Sequence, residues 1–347
     1  MAAAIDKGIT AEAEPNDEGV IRIVSDGFPT VEVDLSHLWP DQNEVGTPSA
    51  LVRGMAGVLS ESIHQLRGFD AHFFSDLPPG RGLSSSAAFS VLVGYILSTF
   101  SQDEPVAPEE LARAAQKAEN RWYGKPCGLI DPLVCALGGG VYMDVLENKI
   151  LPIDANLDDL GLALCLVDTG GGPTGLKEAR SQIVADMNAV AQTFGEPFLA
   201  KVREPAFDEA WPEHVHDPQW MRARHFFDET FRASAMADAL GLRDGERYME
   251  LMNQSGRSSE RLLRSVLMGG GSDELAQGLE ASTRLLAGKG AWRVHGAGFA
   301  GYVQALMPEG TFESYRAAME ALFGPDSCQR IRISARGVCQ TEGPIPG

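Results

Sequence analysis

Residues 79–88 read Pro-Gly-Arg-Gly-Leu-Ser-Ser-Ser-Ala-Ala and open a stretch, apolar and rich in small residues, that extends to Thr99. Glycine allows a backbone to approach a ligand closely, and the serine hydroxyls fall where the stretch is expected to become a buried helix. Free N–H groups and the helix dipole make a helix N-terminus a binding site for anions. The stretch therefore predicts either a polyphosphate-binding loop or, without a ligand, a capped helix start.

The composition limits what else the chain can bind. Its 347 residues include 29 Lys and Arg against 48 Asp and Glu, a formal net charge of −19. That charge repels nucleic acids and anionic membranes, and no apolar run reaches the roughly 20 residues needed to span a bilayer. We therefore expect small-molecule partners, no nucleic acid and no membrane. An anionic substrate would need a local cationic feature to overcome the overall charge.

The cysteines and the start of the chain indicate the compartment. The five cysteines form no Cys-x-x-Cys pair, and the first 14 residues show no basic segment followed by an apolar one. Reduced thiols without a secretion signal are typical of a cytoplasmic protein. The sequence leaves the oligomeric state open.

Hydrophobic periodicity predicts a mixture of strands and helices. The predicted strands cover 20–24, 30–35, 69–74, 141–144, 161–168, 331–333 and the two arms of 291–306, and the predicted helices cover 49–66, 84–99, a segment from Pro108, a segment from Asp131 and 313–323. Between residues 176 and 286 the pattern is mostly helical. Strands and helices that do not alternate strictly predict an α+β fold, with domains over 1–170 and 171–347.

Two glycine-rich segments resemble common nucleotide motifs but fail in context. Residues 296–301 match Gly-x-Gly-x-x-Gly, yet residues 302–306 predict a strand where a dinucleotide-binding motif needs a helix. Residues 124–126 and 288–290 contain Gly-Lys without the Ser or Thr of a Walker A motif. The sequence thus predicts neither a Rossmann fold nor a P-loop fold.

Two carboxylates have both a structural and a chemical interpretation. Glu119 lies about 80° from the centre of the apolar stripe of its helix, at about 100° per residue. It is either a solvated edge residue or a ligand for Mg²⁺, which takes few protein carboxylates. Asp131, followed by Pro132, is either a helix N-cap or a group that orients or deprotonates an acceptor hydroxyl.

Three stretches in a fixed order carry a family resemblance. They are Gly82-Leu83-Ser84-Ser85-Ser86-Ala87, Pro126-Cys127-Gly128-Leu129-Ile130-Asp131 and His295-Gly296-Ala297-Gly298-Phe299-Ala300-Gly301. Together they resemble the motifs of galactokinases, which belong to the GHMP superfamily of small-molecule kinases, and the resemblance covers nearly the whole chain. It implies a two-domain α+β fold that binds ATP and a sugar in the cleft between the domains.

The resemblance also implies roles for individual residues. Ser86 and Glu119 match the Mg²⁺ ligands, Asp131 matches the catalytic aspartate that contacts the reacting hydroxyl, and Gly128 matches a backbone contact to the sugar. The implied nucleotide-binding residues are Gly80, Arg81, Gly82, Leu83, Ser84, Ser85, Ser86, Ala87, Gly296 and Gly298. The expected reaction is ATP-dependent phosphorylation of a monosaccharide at its anomeric hydroxyl.

Two segments depart from the family pattern. Family members begin with an Arg-x-Asn-x-Ile-Gly-Glu-His-x-Asp type segment, whereas residues 2–8 here look like the strand that follows it. Residues 170–176 carry Gly-Gly-Gly-Pro-Thr-Gly-Leu where galactokinases usually have a His and a Tyr at the sugar site, so galactose is only the default substrate. The alternative is therefore an impaired or truncated relative that binds nucleotide or sugar without efficient turnover. Another GHMP kinase is disfavoured by Pro-Cys-Gly-x-x-Asp.

Overall fold

The computed structural model describes residues 1–77, 82–170, 176–264, 273–296 and 301–341, with the side chains of 176–178 left out. The chain divides into an N-terminal unit, 2–141 with 333–347, and a second unit, 142–332 with Met1. The sequence prediction placed the boundary near residue 170 instead. The prediction followed the change to a helical pattern after residue 170. The strand Leu162–Asp168, which comes before that change, pairs with strands of the second unit and therefore belongs to it.

The N-terminal unit contains a four-stranded sheet. Its strands are β2 (Ile9–Asn16), β3 (Val20–Ser25), β4 (Val31–Asp34) and β5 (Gly68–Ser75), in the order β2-β5-β3-β4. The β3 and β5 strands are parallel, and the other neighbours are antiparallel. The predictions for β3, β4 and β5 are confirmed. Strand β2 was not predicted, because its alternating Ala and Glu residues have low strand propensity and pairing with β5 supplies the order.

Four helices of this unit carry the candidate site or support it. They are α1 (Pro48–Leu59), α2 (Ser85–Ser101), α3 (Pro108–Ala118) and α4 (Ile130–Leu137). Helix α1 begins where the Thr47 hydroxyl accepts a hydrogen bond from the Ala50 amide and Pro48 occupies the first turn. It ends at Leu59 rather than at the predicted residue 66. Helix α3 packs against α1, α2 and α4, which surrounds it with protein.

The end of α4 is fixed by residues 334–338, where the chain returns to the N-terminal unit. The Gly139 amide donates to the Ser334 carbonyl over 2.7 Å, and the Val338 amide donates to the Cys135 carbonyl over 3.0 Å. Gly138 has a φ of +76° and a ψ of −178°, a region that only glycine adopts without strain. A Cβ atom there would lie 2.4 Å from the Arg336 carbonyl carbon. Helix α4 therefore ends at Leu137, with Gly138 as its C-cap.

We expect Gly138→Ala to lower the free energy of unfolding by about 3 kcal/mol, since it adds both backbone strain and a clash with the returning chain. Gly139→Ala is the matched control. Gly139 also has a positive φ of +64°, but no atom lies within 4 Å of its added Cβ, so we expect a loss of only about 1 kcal/mol. Urea unfolding of both variants measures the difference. Equal losses would show that the close approach to the returning chain does not limit residue 138.

The second unit has its own antiparallel sheet. Strands β8 (Leu162–Asp168), β9 (Ala291–Val294), β10 (Tyr302–Pro308) and β11 (Cys328–Ile331) lie in the order β11-β8-β10-β9. Helices α9 (Asp273–Leu286) and α10 (Phe312–Phe323) pack on it. Strand β10 after the glycine-rich segment confirms the rejection of a Rossmann fold. The last strand ends two residues before the predicted limit.

The remaining helices of the second unit form a separate packed group. They are α5 (Leu176–Thr193), α6 (Glu204–Ala210), α7 (Pro218–Gly241) and α8 (Gly245–Ser258). Phe207 stacks on Trp220 and packs at a tilt against Phe227, in an aromatic core between α5, α6 and α7. Strands β1 (Ala2–Ala3), β6 (Gly140–Asp144) and β7 (Lys149–Ile153) complete the strands of the described chain. Among these described helices, none is long and apolar enough to cross a membrane.

Candidate active site

The start of α2 places a strained serine beside a carboxylate. Ser84, the residue before α2, has a φ of +55° and a ψ of +33°, a left-handed conformation that costs a non-glycine residue about 1–2 kcal/mol. Its side chain makes no capping bond. Instead, the Ser84 hydroxyl donates to Asp131 Oδ2 over 2.8 Å. Ser84 thus occupies the N-cap position of α2 without capping it through its side chain, and such strain is typical of functional sites.

Asp131 lies in the first turn of α4. The helix begins at Ile130 and its N-cap is Leu129, so the interpretation of Asp131 as the N-cap is wrong. Pro132 is the third residue of α4. A proline is tolerated there because first-turn N–H groups have no partner within the helix. The Asp131 carboxylate is exposed, and it lies at the helix end where the dipole favours negative charge. It is thus an exposed acceptor that a bound hydroxyl could reach.

Glu119 is buried rather than solvated. Its exposed fraction is 1%, although the helical periodicity placed it at the edge of the apolar stripe. Ala112 and Ala114, which lie on α3 outside the apolar stripe, are buried as well, so the buried face is wider than the stripe, because three helices surround α3. A single π-helical turn, Glu119–Tyr123, follows α3 and ends at Gly124 with a φ of +76°. Such turns occur frequently at functional sites.

A lysine joins Glu119 to the serine loop. The Lys125 ammonium donates to Ser86 Oγ over 3.1 Å and lies 3.6 Å from Glu119 Oε2. The other carboxylate oxygen, Glu119 Oε1, is buried and has no hydrogen-bond partner within the described chain. Ser86 and Glu119 therefore lie on either side of a single cationic group. They belong to one cluster, and their assignment as metal ligands stays a prediction.

Cys127 lies in the same loop as Lys125 and is a neutral group. Burial first, and then a hydrogen bond to the Glu119 carboxylate, raise the pKa of Cys127 to about 12. The thiol therefore stays protonated at neutral pH and is a poor nucleophile. The Cys127 amide donates to Asn120 Oδ1 over 2.7 Å, and the Lys125 amide donates to the Glu119 carbonyl over 3.0 Å. These bonds hold the loop 124–128 against the π-helical turn.

The donor set fits Mg²⁺. That cation prefers oxygen ligands and usually takes only one or two protein carboxylates, with phosphate and water completing its octahedron. Glu119 Oε1 is an unsatisfied buried oxygen, and the Ser86 hydroxyl lies in the same cluster. No group of three or more His, Cys, Asp or Glu side chains suited to a metal occurs among the described residues. The arrangement thus suits a metal bound together with phosphate rather than a closed protein site.

The other predicted site residues fall into three groups. Gly82, Leu83, Ser85 and Ala87 lie at or just before the start of α2. Gly128 precedes α4, and no atom lies within 4 Å of the position that a Cβ would take there. Gly296 belongs to the second unit, where its carbonyl accepts a bond of 3.2 Å from Arg293. Gly80, Arg81 and Gly298 lie outside the described residues, as do residues 171–175 of the segment that departs from the galactokinase pattern.

Sequence reasoning missed the role of Lys125. The sequence offered a signal, since a lysine in the loop between the two predicted carboxylates supplies the local cation that an acidic chain needs near an anion site. In the sequence motifs, this lysine figures only in residues 124–126, which lack the Ser or Thr of a Walker A motif. The Ser84–Asp131 hydrogen bond was also not predicted, because it joins residues 47 positions apart.

Comparisons with known proteins extend these observations. Residues 50–139 match the family model described as the GHMP kinases N terminal domain. The chain is 30% identical over 330 residues to a galactokinase of Chloroflexus aggregans, covering 92% of this chain and 80% of that protein. It is 28% identical over 324 residues to a galactokinase of a Roseiflexus species, covering 90% of this chain and 79% of that protein.

Solved structures show the same fold. Lactococcus lactis galactokinase in complex with galactose superposes with a TM-score of 0.80 at 22% identity, covering 96% of this chain and 87% of that one. The mevalonate kinase of Methanococcus jannaschii gives 0.63 at 17% identity, covering 95% and 89%. The predicted two-domain α+β fold is confirmed. By its sequence relatives and its fold, the chain belongs to the galactokinase family of the GHMP kinases.

Proposed function

We propose that this protein transfers the γ-phosphate of ATP to the anomeric hydroxyl of a monosaccharide, with galactose as the first candidate. The observation that carries the proposal is the hydrogen bond from Ser84 to Asp131, because it joins the predicted phosphate loop to the predicted catalytic carboxylate. The curated relatives are named galactokinases, and one related structure was solved with galactose. All five cysteines are free thiols, which is consistent with a cytoplasmic reaction.

In the proposed mechanism Asp131 accepts a hydrogen bond from the anomeric hydroxyl and takes its proton as the sugar oxygen attacks the γ-phosphorus. The new bond joins the sugar oxygen to that phosphorus, the bridging oxygen–phosphorus bond of ATP breaks, and ADP leaves. Ser84 orients the Asp131 carboxylate by donating to Oδ2. The N-terminus of α2 attracts the phosphates through its dipole. Positioning and charge neutralisation supply most of the rate in such transfers.

Ser86 and Glu119 would hold Mg²⁺ in this reaction. When bound, Mg²⁺ neutralises charge on the phosphoryl oxygens. The protein contributes a buried carboxylate whose Oε1 has no other partner within the described chain, and a hydroxyl half-buried at the start of α2. Burial excludes water from the carboxylate and so strengthens its attraction for a cation.

A second candidate is a protein that binds nucleotide or sugar without efficient turnover. The observation that favours it is that residues 170–176 carry Gly-Gly-Gly-Pro-Thr-Gly-Leu where galactokinases usually have a His and a Tyr at the sugar site. Without those two side chains the sugar would be positioned less well for phosphoryl transfer, which depends mainly on positioning. The two candidates differ in turnover and agree in binding, which makes them separable by assay.

ADP release measured with MgATP and a panel of monosaccharides tests the proposal. We expect release that depends on sugar and is abolished when the sugar's anomeric hydroxyl is replaced by a methoxy group. The same sugars are tested for binding by calorimetry. Binding without sugar-dependent ADP release would favour the second candidate, and neither binding nor release would contradict both.

We expect Ser84→Ala and Ser84→Gly to lower kcat by the same factor, about tenfold, because both remove the hydroxyl that orients Asp131. The two variants differ in stability. Glycine relieves the left-handed strain at residue 84, so it should be more stable than alanine by about 1 kcal/mol. Steady-state kinetics and urea unfolding measure the two effects separately. An activity that follows stability instead of the hydroxyl would contradict the orienting role.

A further inference from the structure

Lys125 has a fixed backbone and a movable charged end. Gly124 before it adopts a φ of +76°, and the Lys125 amide donates to the Glu119 carbonyl, which anchors the main chain. The side chain remains 41% exposed, whereas that of Glu119 is only 1% exposed. A lysine stem has four methylene groups and its ammonium is strongly hydrated in water. The ammonium can therefore leave the cluster without any change in the backbone.

The ammonium now stabilises a charge that would otherwise be buried alone. A carboxylate as buried as Glu119 is costly without a partner, and Lys125 Nζ is 3.6 Å from its Oε2. Cys127 adds a neutral donor to the same carboxylate. Among the cations of the described chain, Lys125 is the one paired with Glu119. Removal of the Lys125 ammonium would leave the Glu119 carboxylate with the neutral Cys127 donor in place of a charged partner.

The ammonium of Lys125 lies where it would interfere with a metal ion bound by Ser86 and Glu119. The ammonium donates to Ser86 Oγ over 3.1 Å and faces Glu119, and these are the two residues assigned to Mg²⁺ in the proposed function. Two cations so close to one another repel. The ammonium already binds the Ser86 hydroxyl and pairs with Glu119 through Oε2, although Glu119 Oε1 is left open. Lysine and metal therefore compete for one cluster.

We propose that Lys125 is a displaceable internal counter-ion of the metal site. It neutralises Glu119 and holds Ser86 in the metal-free protein, and a divalent cation that binds the cluster releases it. The lysine thus stabilises the metal-free fold and lowers the affinity for the metal. This proposal rests on the metal site of the proposed function but does not require that the protein phosphorylate a sugar.

Lys125→Met tests the proposal, with Lys117→Met as the matched control. Lys117 lies on α3 and its ammonium is 4.0 Å from Glu61 in an exposed pair, so the control makes the same chemical change away from the cluster. Binding of Mn²⁺ to the full chain without nucleotide is measured by electron paramagnetic resonance. We expect Lys125→Met to bind Mn²⁺ about tenfold more tightly, since no ammonium competes for the carboxylate, and the control to match the unsubstituted protein.

Thermal unfolding provides a second readout. Lys125→Met should unfold at a lower temperature than the control without metal and recover most of the loss in excess Mg²⁺. Adding Glu119→Gln should abolish the tighter Mn²⁺ binding. Unchanged, weaker or undetectable Mn²⁺ binding in Lys125→Met would overturn the proposal.

A test on the unsubstituted protein does not depend on how the variants fold. Acylation of individual lysines by an amine-reactive reagent is followed by mass spectrometry, with and without Mg²⁺. We expect Mg²⁺ to accelerate acylation of Lys125 and to leave Lys117 unchanged. Slower or unchanged labelling of Lys125 would overturn the displacement. None of these readouts uses sugar phosphorylation, so failure of the kinase reaction would be recognised separately.

Discussion

Replacing Asp131 with asparagine is expected to lower kcat by about 10³-fold while leaving nucleotide and sugar binding within a small factor of the unsubstituted protein. Asparagine keeps the shape of the side chain, and its Oδ1 can still accept the hydrogen bond that Ser84 donates. It cannot take a proton from the sugar hydroxyl, and loss of a positioned base typically costs about 10²–10⁴-fold. Steady-state kinetics and calorimetric titration with each ligand measure the two parts of the prediction.

Asp103→Asn is the control for this change. Asp103 is an exposed carboxylate between α2 and α3, so its replacement removes the same charge from the same unit without touching the site. We expect the control to keep normal turnover. Turnover of Asp131→Asn within a few-fold of the control would contradict the catalytic assignment, whatever the binding results.

Glu119→Gln has the second large effect that we expect. Glutamine preserves the size of this buried side chain but gives a cation only a neutral oxygen, and it leaves Lys125 without its charged partner. We expect kcat to fall by about 10²-fold or more and the Mg²⁺ concentration for half-maximal rate to rise. Initial rates measured across a Mg²⁺ series at saturating ATP and sugar test both effects.

Glu109→Gln provides the comparison on the same helix. Glu109 lies exposed in the first turn of α3, so its loss changes only a weak interaction with the helix dipole. We expect its Mg²⁺ dependence to match that of the unsubstituted protein. A normal Mg²⁺ dependence in Glu119→Gln would contradict the assignment of Glu119 as a metal ligand.

Local patterns in the sequence predicted most elements that lie around the site. Hydrophobic periodicity predicted β3, β4 and β5, and Pro108 predicted the start of α3. These signals can be read from the sequence because they depend only on neighbours along the chain. The order of the serine loop, Glu119 and Asp131 along the sequence indicated one site. The structure places Ser84 with Asp131, and Ser86 with Glu119, within the N-terminal unit.

The sequence could not predict features that depend on distant contacts. The burial of Glu119 depends on the three helices around α3, whereas an isolated helix would leave that edge solvated. The unit boundary depends on which sheet β8 joins and on the return of residues 333–347. The contacts of the Lys125 ammonium depend on a π-helical turn that no local pattern indicated.

In the proposed reaction Asp131 directs phosphoryl transfer to the anomeric oxygen of a sugar, and the position of phosphate in the product tests this role most directly. Galactose labelled with ¹³C at C1 is incubated with MgATP and the protein, and the product is examined by ³¹P and ¹³C nuclear magnetic resonance. We predict a phosphate signal coupled to the labelled C1, which is absent from the same reaction with Asp131→Asn. Phosphate attached to another carbon, or the same product at the same rate from Asp131→Asn, would contradict the account.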